Sequence, residues 1–331
     1  MNSPQPLISV VIPTYNRIHY LEQALQSVLQ QTYQNFEVIV ADDHSPEDPT
    51  ALIATFQDPR IRLRRNSQNL GNGPNIALAF QEAKGDYVAS LNDDDTWDPH
   101  FLERLVQPLE AHPNLAAAFC DHYIIDSTGR VDEALSAENS QRWKRDRLPE
   151  GIHQPFWSIG LVDQSVSPAS SALLRRSMID WPELMNVGVY WDYYLTYLAC
   201  CKGYGAYYCP EKLTYYRIHE NSETTQSGGK NAAAKIRKGR SGTFCYSQFL
   251  QDPNLQEHSA YFLQKWVEAK TTWGIGLLRA GQLKEARTHL TEALSKQFNL
   301  RTFYALILSW ISRSNSAHQA NPASSYSGEV S

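Results

Sequence analysis

Three carboxylates stand in a row at Asp93-Asp94-Asp95, directly after the apolar segment 86–91, which reads as a buried strand. Like charges packed this closely raise one another's pKa unless something neutralises them. A hard divalent cation, Mn2+ or Mg2+, is the simplest neutraliser, because it takes oxygen ligands and keeps substrate phosphates in its shell. The competing reading is an acidic turn that caps the following helix, with Pro99 in its first turn. Two further polar clusters also follow apolar runs. Pro13-Thr14-Tyr15-Asn16-Arg17 comes after residues 7–12, and Asp42-Asp43-His44-Ser45 comes after residues 36–41.

The elements that must position these clusters are read from periodicity. Residues 7–12 form a continuous β-branched run, as expected of an interior parallel strand, and Ile18, Leu21, Leu25 and Val28 then recur at helical spacing. A second strand over 36–41 leads to a helix over about 47–57, and 61–65 alternates as a third strand. The Gly/Asn-rich loop 69–75 opens a helix with Ile76, Ala79, Phe80 and Ala83 on one face, closed by Gly85. Repeated βα units of this kind predict an open, mainly parallel, Rossmann-like α/β sheet with helices on both faces. Ligands of such sheets sit beyond the carboxyl ends of the strands, so the three clusters are expected to share one crevice.

Farther on, the pattern predicts a helix over 101–111, a strand over 115–126, a mobile loop over 132–152 and a strand over 170–175. A helix over 189–203 and extended runs over 206–209 and 212–219 follow. The chain then divides as a sheet domain over 1–225, a flexible linker or lid over 226–258, a helical appendage over 259–311 and a disordered tail over 312–331. The appendage reads as three helices, and 283–294 has the spacing of one tetratricopeptide-like hairpin.

A formal charge of −5 argues against a nucleic-acid surface. Five cysteines without CxxC or zinc-type spacing fit reduced thiols in a cytoplasmic protein, and no apolar run reaches the length of a spanning helix. Contact with the membrane would then be peripheral, at its inner face. The apolar stretch 303–311 could dock on the domain, on another subunit in a homo-oligomer, or on a membrane surface.

Taken together, these clusters resemble family-2 glycosyltransferases, inverting enzymes of the GT-A fold that use nucleotide-diphosphate sugars. The resemblance runs over about 7–220. It rests on Val11-Ile-Pro-Thr-Tyr-Asn-Arg17, Asp42-Asp43-His-Ser45, Asn69-Leu-Gly71 with Asn75, Gly85-Asp-Tyr-Val88, Asn92 to Pro99, Trp191-Asp192 and Tyr216-Arg217-Ile-His219. It implies that Pro13 and Tyr15 lie against base and ribose, with Thr14 and Arg17 among the nucleotide contacts. It also implies that one of Asp42 and Asp43, preferably Asp43, accepts from the base, as an imide N–H of uracil or thymine requires. Asp93 falls on the ribose contact and Asp94 on the metal ligand, with Asp95 and His219 beside the metal and Arg217 near phosphate. Asn75 matches a subgroup with Asn in the glycine-rich loop. Asn92 stands where many relatives carry another aspartate, and the arginine common in that loop is missing.

An inverting transfer needs one base to deprotonate the acceptor hydroxyl. The resemblance puts Asp192 in that role; His122 and Asp163 are the alternatives for base or acceptor contact. The activity expected is transfer from a UDP- or dTDP-sugar to a hydroxyl of a glycan or other acceptor, in cell-surface polysaccharide synthesis. A catalytically silent nucleotide-sugar-binding relative is the other reading. A nucleotidyltransferase would need a glycine- and basic-rich triphosphate loop near the amino terminus, which is not there.

Overall fold

The computed structural model of the protein describes residues 5–167, 169–220 and 231–311. Its first third alternates strand and helix: β1 (Ile8–Thr14), α1 (Ile18–Leu29), β2 (Phe36–Asp42), α2 (Thr50–Phe56), β3 (Ile61–Arg65), α3 (Asn72–Glu82), β4 (Tyr87–Ser90) and the short β5 (Thr96–Trp97). There follow α4 (Phe101–Ala111), β6 (Leu115–Ile125), β7 (Val131–Asp132), α5 (Glu133–Arg142), β8 (Gly151–His153), β9 (Ala172–Arg175), α6 (Trp191–Cys200) and the long β10 (Gly205–Arg217). Four helices end the described chain: α7 (Ala232–Gln251), α8 (Ser259–Arg279), α9 (Leu283–Lys296) and α10 (Leu300–Ile311).

The strands join in the order β3-β2-β1-β4-β9-β6-β10-β5, with β7 on β6 and β8 on β10. β3, β2, β1 and β4 are parallel neighbours, as are β6 and β10, while β9 runs antiparallel between β4 and β6. The period of two along each strand sorts the core into two layers. Val10, Ile12, Val38 and Val40 pack with α1 and α4, whereas Val11, Ile39 and Ala41 pack with α3, α6 and α7.

Four segments differ from the expectation. Residues 132–152 hold α5, a 3-10 turn at Arg145–Arg147 and β8 rather than a loop. The two extended runs after α6 are one strand, β10, which shifts register against β6 between Cys209 and Thr214 and so passes Pro210 without ending. Of the expected linker or lid, 232–251 is α7, whose Cys245, Tyr246 and Phe249 are buried against α6 and α8. The expected boundary near 225 and the tail over 312–331 lie outside the described residues. Gly85 does not close α3 as a left-handed cap; it lies where a Cβ would meet Ser9 N, Leu7 O and Tyr87 O at 2.6–2.7 Å. Close backbone approach, not helix termination, requires glycine there.

Candidate active site

The carboxyl ends of β1, β2 and β4 lie side by side, which brings the three sequence clusters to one edge. A chain of hydrogen bonds joins them. Asp43 N–H donates to Thr14 O at 3.0 Å, and Thr14 Oγ1 donates to Asp93 Oδ2 at 2.7 Å. Arg17 Nη1 donates to Asp93 Oδ1 at 3.0 Å and to Asp94 Oδ2 at 2.9 Å, and His219 Nε2 stands 3.0 Å from that same Asp94 oxygen. Thus Thr14, Arg17, Asp93, Asp94 and His219 form one cluster, reached from β1, the turn after β4 and the end of β10.

Its electrostatics are those of a site with excess negative charge. Burial, then the neighbouring Asp94 charge, push Asp93 up to about 7 against the pull of Arg17, and the same two causes push Asp95 up to about 8. Burial works against the Arg17 charge, yet Asp93 and Asp94 outweigh it and raise its pKa. One guanidinium therefore does not balance three adjacent carboxylates.

Several residues expected to face a nucleotide are bound into the scaffold. Asp42 is fully buried and closes the turn after β2 by accepting from Ser45 N–H and Oγ, with Arg65 3.5 Å away. Neither Asp42 nor Asp43 caps a helix, because α2 begins only at Thr50. Asp43 accepts from Asn66 Nδ2, Leu70 N–H and Gly71 N–H, each at 2.8 Å, so it shapes the glycine-rich loop. A carboxylate has about four acceptor positions, which leaves Asp43 one. Asn75 donates to Ala41 O at 2.7 Å and accepts from Asn66 Nδ2 at 2.9 Å, tying α3 to β2. Pro13 is buried in β1, whereas Tyr15 is 48% exposed at the mouth of this edge.

Asp95 accepts from Ser170 Oγ at 2.6 Å and Asn92 Nδ2 at 3.2 Å on one oxygen, and from Arg217 N–H at 2.9 Å on the other. Both of its oxygens thus anchor the acidic turn to the sheet. Arg217 is buried, and its guanidinium donates to Asp94 O, Asp126 O and Gln23 Oε1. Its guanidinium thus forms a brace beneath the turn.

Asp192 sits in the first turn of α6, where its Oδ1 accepts from Tyr193 N–H at 2.8 Å. Burial raises its pKa, and no cation pairs with it among the described residues. The segment before it is held from two sides. A Cβ on Gly73, in the first turn of α3, would stand 2.7 Å from Gly188 N, so only glycine lets the α3 start press against residue 188. From the other side, Ser241 Oγ on α7 bonds Val187 O and accepts from Tyr190 N–H at 2.9 Å. Through these contacts the helix opened by the Asp43-bound loop adjoins the segment that carries Asp192.

Of the alternatives for the base, Asp163 is paired with Lys144 at 2.6 Å. His122 lies buried beside the Asp121–Arg145 ion pair, and burial, then the Arg145 charge, push it down to about 3. A pKa that low makes His122 a weak proton acceptor. Sequence reasoning missed Asn66, Ser170 and the Asp121–Arg145 pair. Asp121 carried a usable signal, since a carboxylate inside an apolar strand demands a buried partner.

An open α/β sheet with an acidic turn beyond its parallel strands is the architecture of GT-A glycosyltransferases, and this chain is one. It belongs to Glycosyl transferase family 2, which matches residues 9–178. An uncharacterized glycosyltransferase of Nostoc sp. is 25% identical over 83% of this chain and 88% of its own. An Escherichia coli UDP-Glc:alpha-D-GlcNAc-diphosphoundecaprenol beta-1,3-glucosyltransferase, WfgD, is 30% identical over 40% of this chain and 52% of its own. Among solved structures, S. aureus TarS 1-349 in complex with UDP-GlcNAc superposes with a TM-score of 0.62 at 16% identity, covering 92% of this chain and 89% of that one. A mannosyltransferase from Pyrobaculum calidifontis in complex with GDP-Man and Mn2+ gives 0.55 at 18% identity, over 93% and 87%.

Proposed function

We propose that the protein moves a sugar from a nucleoside-diphosphate donor, UDP- or dTDP-linked, onto a hydroxyl of a glycan or other acceptor, with inversion at the anomeric carbon, in surface polysaccharide synthesis. The observation that carries this reading is the contact network from Asp43 through Thr14, Asp93 and Asp94 to His219 at the carboxyl edge of the parallel strands. The named activity of WfgD, a UDP-glucose-dependent transferase, supports the donor class and a saccharide acceptor.

Among the described residues no group of three or more His, Cys, Asp or Glu side chains is arranged to hold a metal ion. Asp94 and His219 nevertheless fit a divalent cation of the Mn2+ or Mg2+ kind. They converge within 3.0 Å, and such ions are commonly held by one or two protein groups plus substrate phosphates. The surplus carboxylate charge beside Arg17 also favours a cation there. When bound, the ion would supply Lewis-acid relief of the charge on the departing diphosphate.

The chain's own residues do the rest. Tyr15 offers an exposed ring for the base to stack on, the remaining acceptor position of Asp43 can take a base N–H, and Asp93, held by Thr14 and Arg17, faces the ribose. Asp192 takes the proton from the acceptor hydroxyl as that oxygen bonds to the anomeric carbon. The bond from that carbon to the diphosphate oxygen breaks, and its electron pair leaves with the nucleoside diphosphate. A panel of nucleotide sugars tested by thermal shift with and without Mn2+, followed by nucleoside-diphosphate release on adding acceptor, tests the reading. No shift with any donor would refute it.

A further inference from the structure

Helix α10 carries its large apolar residues on the outside. The side packed on α8 and α9 is small and polar: Thr302, Ala305 and Ser309 are buried, Thr302 Oγ1 is 2.6 Å from Thr271 Oγ1, and Ser309 O accepts from Arg287. The opposite side presents Leu300, Phe303, Tyr304, Ile307, Leu308 and Ile311, all between 38% and 70% exposed. Their spacing of three and four puts them on one stripe. Six large apolar side chains in a row exceed the scattered exposure usual on a soluble surface and mark an interaction face.

The charges around the stripe choose the partner. α10 has no acidic residue, and Arg301 sits at its start. Burial, then the charges of Arg279, Arg301 and Lys238, push Lys235 below the usual lysine range, so these four cations from α7, α8 and α10 lie together. At the far end of α10, Trp310 borders a groove of about 600 Å³ whose charged lining is Lys284, Arg287 and Glu292, two cations to one carboxylate. Residues 232–311 hold eleven Lys and Arg against five Asp and Glu, in a chain whose formal charge is −5. Basic character is thus segregated onto the helices that bear the apolar stripe.

We propose that this face docks on an anionic lipid bilayer, with the α10 stripe entering the headgroup and acyl boundary and Lys235, Lys238, Arg279 and Arg301 meeting acidic headgroups. A stripe of bulky apolar residues beside clustered cations is the combination that peripheral helices use at such surfaces. A second copy is disfavoured, since a two-fold contact would set the basic cluster against itself. Residues 312–331 contain only Tyr326 and Val330 as large apolar side chains, too few to match the stripe.

Sedimentation of the full chain with phosphatidylcholine vesicles, with and without phosphatidylglycerol, tests this. The chain should pellet with the anionic vesicles and be released by salt. Leu308→Glu should weaken binding by about tenfold or more. Lys235→Gln and Arg301→Gln should each weaken it roughly fivefold. All three sites are at least partly exposed, so circular dichroism and melting temperature should match the parent. A parent chain that stays in solution with both vesicles overturns the proposal, as do variants that pellet like the parent. So does a dimer by light scattering that Leu308→Glu dissociates while vesicle binding is unchanged. Sedimentation reads no turnover, so its failure would leave the transferase reading intact.

Discussion

Replacing Asp192 by Asn tests its proposed role in proton abstraction apart from the other contacts of the site. The two side chains have the same shape, and the Asn carbonyl can still accept the Tyr193 N–H now held at 2.8 Å. No ion pair among the described residues is broken by the change, and a partly buried carboxylate without a cation among them is removed, so the melting temperature should stay level or rise. What is lost is a general base, a contribution of about 10² to 10⁴ in rate, or roughly 3–5 kcal/mol of barrier. The assay is nucleoside-diphosphate release at saturating donor and acceptor, paired with calorimetric donor binding in Mn2+. The expected outcome is a kcat reduced by that factor with donor affinity unchanged. Because burial raises the Asp192 pKa, the parent's kcat should climb with pH through a pKa above the usual carboxylate range, and that limb should vanish in the variant. A variant kcat within an order of magnitude of the parent, with the pH limb intact, would remove Asp192 from the mechanism.

Asp94→Ala should abolish the cation-dependent part of nucleotide binding; titrations with and without Mn2+ that match the parent would dismiss Asp94 as a ligand. Gly73→Ala drives a methyl into the Gly188 backbone and should cost about 1–3 kcal/mol in urea unfolding, and an unchanged midpoint would mean that the contact is not tight. Ser241→Ala removes two hydrogen bonds to the segment before Asp192 and should lower kcat while the donor KM holds; equal loss of donor binding would contradict that division of labour. Buried neutral His122 is held near 3, well below its unfolded pKa of about 6.5, so the unfolded chain binds the extra proton between those values. Stability from His122 is therefore complete above about 6.5 and declines as pH falls toward 3, by up to about 1.4 kcal/mol per pH unit. His122→Gln should flatten that slope, and parallel slopes would show that His122 is not the group responsible.

The parallel half of the sheet was legible because β1 and β2 are continuous apolar runs rich in β-branched residues, β3 alternates, and the intervening helices have apolar stripes. α8 and α10 fall on the expected residues for the same reason. α5 and α7 were illegible because hydrophobic periodicity cannot register them. The buried residues of α5 are Ser136 and Ser140, and the buried side of α7 includes Gly239, Ser241, Gly242 and Thr243, which let it lie close to its neighbours. At the site, the sequence located clusters that the fold brings to one sheet edge, but not the direction in which each polar group points. Asp42, Asn75, Asp95 and Arg217 have ligand-binding chemistry and lie at or near the carboxyl edge of the sheet, yet each is occupied by backbone or neighbouring side chains. Orientation depends on register and loop closure, which residue type alone does not encode.

Ser241 gives α7 a grip on the loop that delivers Asp192, while the donor-side turn is braced separately by Arg217 and Ser170. In the mechanism proposed above, substitutions along α7 therefore shift the reach or timing of proton removal by Asp192 while leaving recognition of the nucleotide in place. A protein engineer seeking a new acceptor has a handle more than forty residues downstream of Asp192, in a helix far along the chain from every cluster that first drew attention to the site.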